Sequence, residues 1–254
     1  MQSTPLFDES AVTLSMDTVT RDSFTTAEDI AATVRRWGLI VFPGFLKGDR
    51  LANLNAEFDA LMAARHSLGF TRDEYENIAN IRVTRSKLDA FRFGETARFF
   101  ESPFMLDVAD AYFGPGTYRL NGEIFVSNLT ETLGPQTAPP FALHFDKRQV
   151  LKFFVYLSDT DERNGAMRAL PGSNVRNRAA REAAMTTQAL NEIPNVLPEP
   201  ETPSMPIRGP AGTLFVFDTD ICHGASSVQA GFTRRTMRGH THSLAMLRAM
   251  GITA

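Results

Sequence analysis

Cysteine, long apolar runs and an excess of charge of one sign are scarce or absent in this 254-residue chain. Cys222 is its only cysteine, so no disulfide framework holds the fold, and we expect a reducing, cytoplasmic environment. The formal net charge is −3, which argues against nucleic acid or an anionic membrane as a partner. No apolar run is long enough to span a bilayer, and the opening MQSTPLFDESAVTLS lacks the pattern of a signal peptide.

The chain contains enough apolar residues to form the core of one large domain. Hydrophobic residues make up 43% of the chain, so a sizeable core can form without disulfide or metal support. We therefore predict a single domain over residues 1–254, mostly helical to about residue 115. The stretch TTAEDIAATVRRWG is typical of that helical part, because Thr26 and Asp29 fit a capping box and Gly38 follows the end.

From about residue 116 the sequence has the texture of a β protein. Short segments such as VLKFFVYL and GTLFVF are rich in aromatic and β-branched residues, and turn signals such as PGS separate them. This pattern predicts an antiparallel sandwich or barrel. Residues 174–208 form a long insertion in it. Insertions of that length are usually functional lids or disordered segments, and we favour a lid.

Two metal-capable side chains lie two positions apart in the segment FALHFD. His144 and Asp146 share a strand face because side chains alternate. His223, which follows the segment AGTLFVF, is the best candidate for a third ligand among the five histidines. Two histidines and a carboxylate form the facial triad of non-haem Fe(II) oxygenases, and a set of imidazoles and a carboxylate excludes a thiolate-rich structural zinc site. Taken alone, however, a His-x-Asp pair is more often an ordinary hydrogen-bonded or surface pair.

Two cationic side chains add to this set. Arg234 lies eleven residues after His223, and its planar guanidinium suits a carboxylate ligand. Arg235 is its competitor, because only one of two adjacent strand residues can point inward. Lys152 is in phase with Asp146, where a buried lysine would need an anionic partner, unless a bulge turns it towards solvent.

The ordered set of motifs resembles the phytanoyl-CoA dioxygenase family of Fe(II)/2-oxoglutarate-dependent oxygenases. The motifs are HFD, YLSD, NGAMRALPGSN, GTLFVF, HG and finally Arg234. The chain departs from the family at Asn174, where the family motif PGSH has histidine. Asp146 is retained, whereas halogenating relatives carry a small residue there, so halogenation is not expected.

The resemblance implies a mainly β fold with flanking helices, a double-stranded β-helix of the jelly-roll or cupin-like type. It also implies Fe(II) on His144, Asp146 and His223, with 2-oxoglutarate held by Arg234 and with O2 as co-substrate. The reaction would hydroxylate, desaturate or ring-close an unactivated C–H of a small polar metabolite, including specialised or sugar-containing ones, and release succinate and CO2. The alternative is a cupin-like metal protein that does not use 2-oxoglutarate and needs no arginine at this position.

Several further polar residues are candidates on weaker grounds. Lys152, Ser226 and Asn128 are predicted to help bind the co-substrate, although Ser226 also fits an ordinary turn and Asn128 an ordinary polar strand position. Arg148, Arg238 and His240 are predicted to face the substrate, and they favour a polar or anionic one. We expect a small molecule as the partner of a monomer or homodimer.

Overall fold

The computed structural model describes residues 15–23, 25–67, 71–75, 77–133, 139–197 and 204–252. Short 3-10 helices occupy Met16–Thr18 and Leu190–Glu192. The α-helices of the described ranges are α1 (Ala27–Trp37), α2 (Gly48–Ala63), α3 (Arg85–Phe91), α4 (Gly94–Phe100), α5 (Pro103–Phe113), α6 (Ser173–Thr186) and α7 (Leu244–Ala249). None of the described helices has the length and apolar character needed to cross a membrane.

Strands form two antiparallel sheets. They are β1 (Leu39–Phe42), β2 (Thr71–Tyr75), β3 (Ile78–Thr84), β4 (Tyr118–Leu120), β5 (Glu123–Leu129), β6 (Val150–Tyr156), β7 (Met167–Leu170), β8 (Met205–Pro206), β9 (Leu214–Asp218), β10 (Cys222–Ala225) and β11 (Arg234–Ser243). The larger sheet has the order β1-β9-β6-β11-β5-β3-β2, with β4 also paired to β11, and the smaller sheet has the order β10-β7-β8. This confirms the predicted mainly β class, with a larger sheet that is not closed.

The helices cover one face of the larger sheet. On β6, Leu151, Phe153 and Val155 point into a core shared with α1, α2 and α5. Phe154 and Tyr156, one position out of phase, pack instead towards the smaller sheet. The larger sheet therefore separates a helix-packed core from a second layer between the two sheets.

Strands β2 and β3 lie within the first 115 residues, which the sequence pattern describes as mostly helical. Strand β3 pairs with β5 and extends the larger sheet. Ile81 and Val83 are fully buried and alternate with more exposed neighbours, which is the period-two pattern of a strand with one face on the core. The helix α1 matches its sequence signals, because Thr26 Oγ1 accepts from the Asp29 N–H and Gly38 ends the helix at φ +80°.

Helix α6 occupies the first part of the segment that we interpret as a lid. Asn174 is fully buried, and its side-chain amide donates to the Arg35 carbonyl at the end of α1, so it docks the two helices. Further on, the carbonyl of Asn195 accepts from the Phe145 N–H, which brings this stretch beside the His-x-Asp segment. Residues 198–203 lie outside the described part of the chain, and a lid remains a proposal.

Candidate metal centre

Backbone pairing brings the two histidines of the predicted triad together. His144 and His223 exchange backbone hydrogen bonds of 2.9 and 2.7 Å, and their ring centroids lie 4.6 Å apart. Asp146 follows in the same segment, where its N–H donates to the Thr219 carbonyl. The segment around His144 is thus a single bridge to β10 rather than the longer strand that its sequence predicts. The ligand atoms of His144, Asp146 and His223 all lie within 4.8 Å of one another, so they could hold a metal ion.

Both rings are oriented for coordination. Nδ1 of His144 lies 2.8 Å from the Ala142 carbonyl, and Nδ1 of His223 lies 2.9 Å from the Ile221 carbonyl. A carbonyl oxygen only accepts, so we assign the proton to Nδ1, which leaves the Nε2 lone pair free for a metal. Burial lowers the pKa of His144, and it lowers the pKa of His223 to about 3, so both rings stay neutral.

The two carboxylate oxygens of Asp146 have different neighbours. Oδ1 lies 3.6 Å from His144 Nε2 and 3.9 Å from His223 Nε2, while Oδ2 lies 2.7 Å from Lys152 Nζ. Burial alone would raise the pKa of Asp146, but the charge of Lys152 and its hydrogen bond to the carboxylate lower that pKa well below its usual value. Lys152 therefore points inward, and its anionic partner is a candidate metal ligand.

Strand β11 decides between the two adjacent arginines. Arg234 is buried and faces the layer between the sheets, where its guanidinium donates to the Gly165 carbonyl. Arg235 faces the opposite side, where it pairs with Asp59 and lies over the Phe58 ring, 4.4 Å from its centroid. Arg234 Nε is buried and has no hydrogen-bond acceptor among the described residues. Arg234 is therefore the arginine that points into the layer between the two sheets.

The NG motif supplies the carbonyl that Arg234 contacts. Asn164 closes the preceding turn, with its side-chain oxygen accepting from the Asp161 N–H at 2.8 Å. Gly165 then adopts φ +81°, and a Cβ there would lie 2.7 Å from a Val228 methyl carbon. Glycine is therefore required at this position both by its backbone conformation and by the close approach of the segment that contains Val228.

A cavity of about 320 Å³ connects these groups. His144 and His223 lie in its wall together with Lys152, Arg234 and Arg238. Phe154 and Phe217 add aromatic surface to the same wall. A cavity of this size, with polar and charged groups beside apolar and aromatic ones, is suited to small molecules that carry polar groups.

Three polar residues of this wall were not predicted, namely Ser127, Asn80 and Thr236. The side chains of Ser127 and Asn80 hydrogen-bond to each other at 2.5 Å. The alternation of side chains along β5 could have identified Ser127 from the sequence. Asn80 could not have been identified in this way, because its place in the wall depends on the pairing of β3 with β5, which the sequence alone does not give.

Other predicted residues fall inside and outside the cavity wall. Arg238 lies in it, and His240 follows on the same face of β11, stacked on Phe125 with centroids 4.3 Å apart. Asn128 is not in the wall, because its neighbours Ser127 and Leu129 are, and alternation turns it to the other face. The structure does not bring Ser226 or Arg148 into the wall either.

The reasons for these two placements are local. Ser226 lies just after β10, where its N–H donates to the Ala166 carbonyl. Arg148 is exposed in the turn before β6, where its carbonyl accepts from the Thr219 hydroxyl.

A second buried charged group lies next to the centre, and we call it the Asp218–Asp220 cluster (Asp218, Asp220, Arg178, Arg181 and Tyr112). Both carboxylates are fully buried. Arg181 donates to both oxygens of Asp220 at 2.8 Å, and Arg178 donates to Asp218 at 2.8 Å. Since the cluster ties α6 to the turn between β9 and β10, it fixes the turn that leads into β10, the strand that carries His223.

The donor set fits iron. Two neutral imidazoles and one ionised carboxylate oxygen converge from one side, and the cavity occupies the other side, as in a site with open coordination positions. Arg234, with an unpaired Nε in the same wall, fits an anionic co-substrate.

Comparison with known proteins agrees with this chemistry. The model of the phytanoyl-CoA dioxygenase (PhyH) family matches residues 34–236. No curated protein matches the chain. The solved structure of the epimerase SnoN with Fe3+, alpha ketoglutarate and nogalamycin RO is 20% identical, with a TM-score of 0.58, and the match covers 85% of this chain and 83% of that chain.

Two further solved structures are similar. The alpha ketoglutarate dependent carbocyclase SnoK from nogalamycin biosynthesis is 16% identical, with a TM-score of 0.61 and 87% of each chain covered. HygX from Streptomyces hygroscopicus, with nickel, 2-oxoglutarate and hygromycin B bound, is 13% identical, with a TM-score of 0.57 and with 85% of this chain and 86% of that chain covered. At these identities the likeness is one of fold, and it confirms the predicted jelly roll.

Proposed function

The chain belongs to the phytanoyl-CoA dioxygenase family, and we propose that it is an oxygenase that oxidises an unactivated C–H group of a small polar metabolite. Iron and 2-oxoglutarate are its cofactors, as the family and the donor set indicate. In the hydroxylation form of the proposal, 2-oxoglutarate, O2 and R–H yield succinate, CO2 and R–OH.

The observation that carries the proposal is that His144, His223 and Arg234 lie in the wall of one cavity, with a carboxylate oxygen of Asp146 within 4.8 Å of both imidazoles. A metal site alone would fit many activities. A buried arginine with an unsatisfied Nε in the same cavity adds a receptor for an anion, which a metal protein without a dicarboxylate co-substrate does not need.

Each residue has a defined task in this proposal. His144, Asp146 and His223 hold the iron, which, when bound, couples the decarboxylation of 2-oxoglutarate by O2 to the oxidation of the substrate. Arg234 binds the far carboxylate of 2-oxoglutarate and so orients its keto-acid end towards the metal. Phe154 and Phe217 exclude water from the cavity wall around these groups.

The part of the cavity wall around Arg238 favours a polar substrate, with an anionic group as the preferred feature. Arg238 lies over two aromatic rings, 4.9 Å from the centroid of Phe125 and 5.8 Å from that of Phe154, which holds its guanidinium in a fixed plane. Asn80 and Ser127 add hydrogen-bonding groups. Epimerisation and ring closure, the reactions named for SnoN and SnoK, are alternative outcomes for the same centre.

The test is conversion of 2-oxoglutarate to succinate by the Fe(II)-reconstituted chain without added substrate, compared across variants. Succinate formation should require Fe(II), vanish in His144→Ala and weaken sharply in Arg234→Ala. Arg235→Ala is the matched control, because Arg235 lies on the opposite face. Metal binding without any binding or turnover of 2-oxoglutarate would instead favour the cupin-like metal protein.

A further inference from the structure

The two oxygens of Asp146 have different surroundings, and this difference gives Lys152 a specific role. Oδ1 faces the Nε2 atoms of His144 and His223, at 3.6 and 3.9 Å. Oδ2 accepts a hydrogen bond of 2.7 Å from Lys152 Nζ. These are the positions expected when one oxygen is available to a metal and the other is held by a cation.

Lys152 is itself held firmly. It lies near the start of β6, between β9 and β11, opposite Phe217 on one side and His240 on the other. Its Nζ lies 5.6 Å from the Phe217 ring centroid, and its side chain is 17% exposed. A lysine with an anchored backbone and a mostly buried stem loses little further freedom when it holds a carboxylate in one orientation.

We propose that Lys152 is a positioning residue that keeps Asp146 a one-oxygen metal ligand. The inference rests on the proposed function, because it requires a metal at the centre. A carboxylate binds a metal through one or both oxygens, and the two-oxygen mode would occupy a further coordination position. By engaging Oδ2, Lys152 keeps that position open for the co-substrates. This differs from the expectation that Lys152 contacts 2-oxoglutarate directly.

The expected effect of losing Lys152 is a change in coordination rather than a simple loss of metal. Lys152→Met keeps the length and apolar stem of the side chain but removes the ammonium, so Oδ2 is free to turn towards the ion. Removal of a nearby cation also favours a dication electrostatically. The affinity for the metal would reflect three changes at once: the freed Oδ2, the removed positive charge and the less fixed orientation of Asp146. The number of open coordination positions is therefore the more direct measurement.

The experiment uses Mn(II) as the probe, bound to the full-length chain without 2-oxoglutarate. The relaxation of solvent protons reports the exchangeable waters on the ion. Relaxivity per bound ion should fall by about a third in Lys152→Met, because one of the open positions closes. Lys152→Arg, which keeps a cation that can donate to Oδ2, should restore the original value. Thermal unfolding of each metal-free variant checks the fold.

Lys147→Met is the matched control. It removes a lysine adjacent to Asp146 in sequence whose Nζ donates to the Asn191 carbonyl instead, so its relaxivity should equal that of the original chain. If the Lys152 variants keep the original relaxivity and lose only 2-oxoglutarate affinity, Lys152 is a co-substrate ligand and the proposal is overturned. If the unmodified chain binds no Mn(II), the metal centre of the proposed function fails as well, which is a distinguishable result.

Discussion

Two buried groups of charged side chains lie side by side in this molecule and differ in how completely they are satisfied. In the Asp218–Asp220 cluster, Arg178 and Arg181 supply donors to both carboxylates. In the metal centre, Oδ1 of Asp146 has two Nε2 neighbours that lie beyond hydrogen-bond distance. The carboxylates of the first group are fully paired by protein side chains. In the second group Oδ1 of Asp146 and the two Nε2 atoms are available to a ligand.

The difference separates a structural role from a binding role. A buried charge network in which each member is paired fixes the chain, and removing one member leaves an uncompensated charge. Converging metal-ligand atoms without protons contribute their coordination energy to the stability of the protein only when a metal binds. The Asp218–Asp220 cluster should therefore govern stability, and the metal centre should govern binding and activity.

Loss of a metal ligand should have the largest effect on binding. His223→Ala removes one of three donors, so Fe(II)-dependent formation of succinate should fall by more than about a hundredfold, since even changes around the ligands cost ten- to a hundredfold. The unfolding free energy of the metal-free chain should change much less. His66→Ala, at an exposed histidine, should change neither. A fully active His223→Ala would contradict the assignment.

Loss of an arginine from the Asp218–Asp220 cluster should mainly lower the unfolding free energy. Arg181→Met leaves Asp220 buried without its main partner, and burial already raises the pKa of that carboxyl. We expect a loss of about 3–5 kcal/mol in unfolding free energy, measured by urea denaturation. Arg176→Met, at an exposed position of the same helix, serves as the control. Equal stability of the two variants would remove the distinction between the groups.

Arg234→Met should weaken co-substrate binding while leaving the metal in place. Loss of a charge-assisted contact with a carboxylate costs about 3 kcal/mol, or roughly a hundredfold in the Kd for 2-oxoglutarate. Isothermal titration of the metal-loaded variants measures it, with Mn(II) binding checked separately. Arg235→Met should retain the original affinity, because that side chain pairs with Asp59 on the far face. A reversed pattern would mean that the strand phase is misassigned.

A smaller effect on stability is expected at acid pH, and it involves His242 on β11. Burial and the charges of Arg119 and Arg148 lower the pKa of His242 to about 4. In the unfolded chain this pKa is near 6.5, so as pH falls from 6.5 towards 4 the unfolded state takes up a proton that the folded state refuses. Folding is therefore penalised in that window and unaffected above pH 7.

His242→Gln isolates this contribution. At pH 5 the variant should lose less unfolding free energy, relative to pH 7, than the original chain by about 1 kcal/mol, after allowance for the partial exposure of the ring. Urea denaturation of the metal-free proteins at the two pH values measures the difference. Identical losses in both proteins would show that His242 titrates normally in the folded chain.

Much of the fold and of the centre follows from the sequence, because motif order and period-two alternation carry the information. His144 and Asp146 were predicted from their spacing and His223 from its place after a predicted strand, and the three do come together. The choice between Arg234 and Arg235 needs the phase of a strand, which one bulge would reverse. The structure supplies that phase through the pairing of β11 with β5 and β6.

What the sequence does not contain is the pairing of distant side chains. Arg181 and Asp220 lie 39 positions apart on different elements, and their contact depends on the docking of α6. Asn174 has a similar explanation, because its role at the end of α1 requires the two helices to meet. The partner of Lys152 was likewise hidden, since the turn between Asp146 and β6 decides whether its ammonium reaches the carboxylate.

The most direct test is an anaerobic titration of the Fe(II)-loaded chain with 2-oxoglutarate, followed by the visible charge-transfer absorption that arises when a keto acid chelates Fe(II). The account predicts a saturable band in the original chain and in Arg235→Met. In Arg234→Met, the band should require a roughly hundredfold higher concentration of 2-oxoglutarate, and in His223→Ala it should be lost. A chain that binds Fe(II) and shows no such band, or a band indifferent to Arg234, would contradict the account.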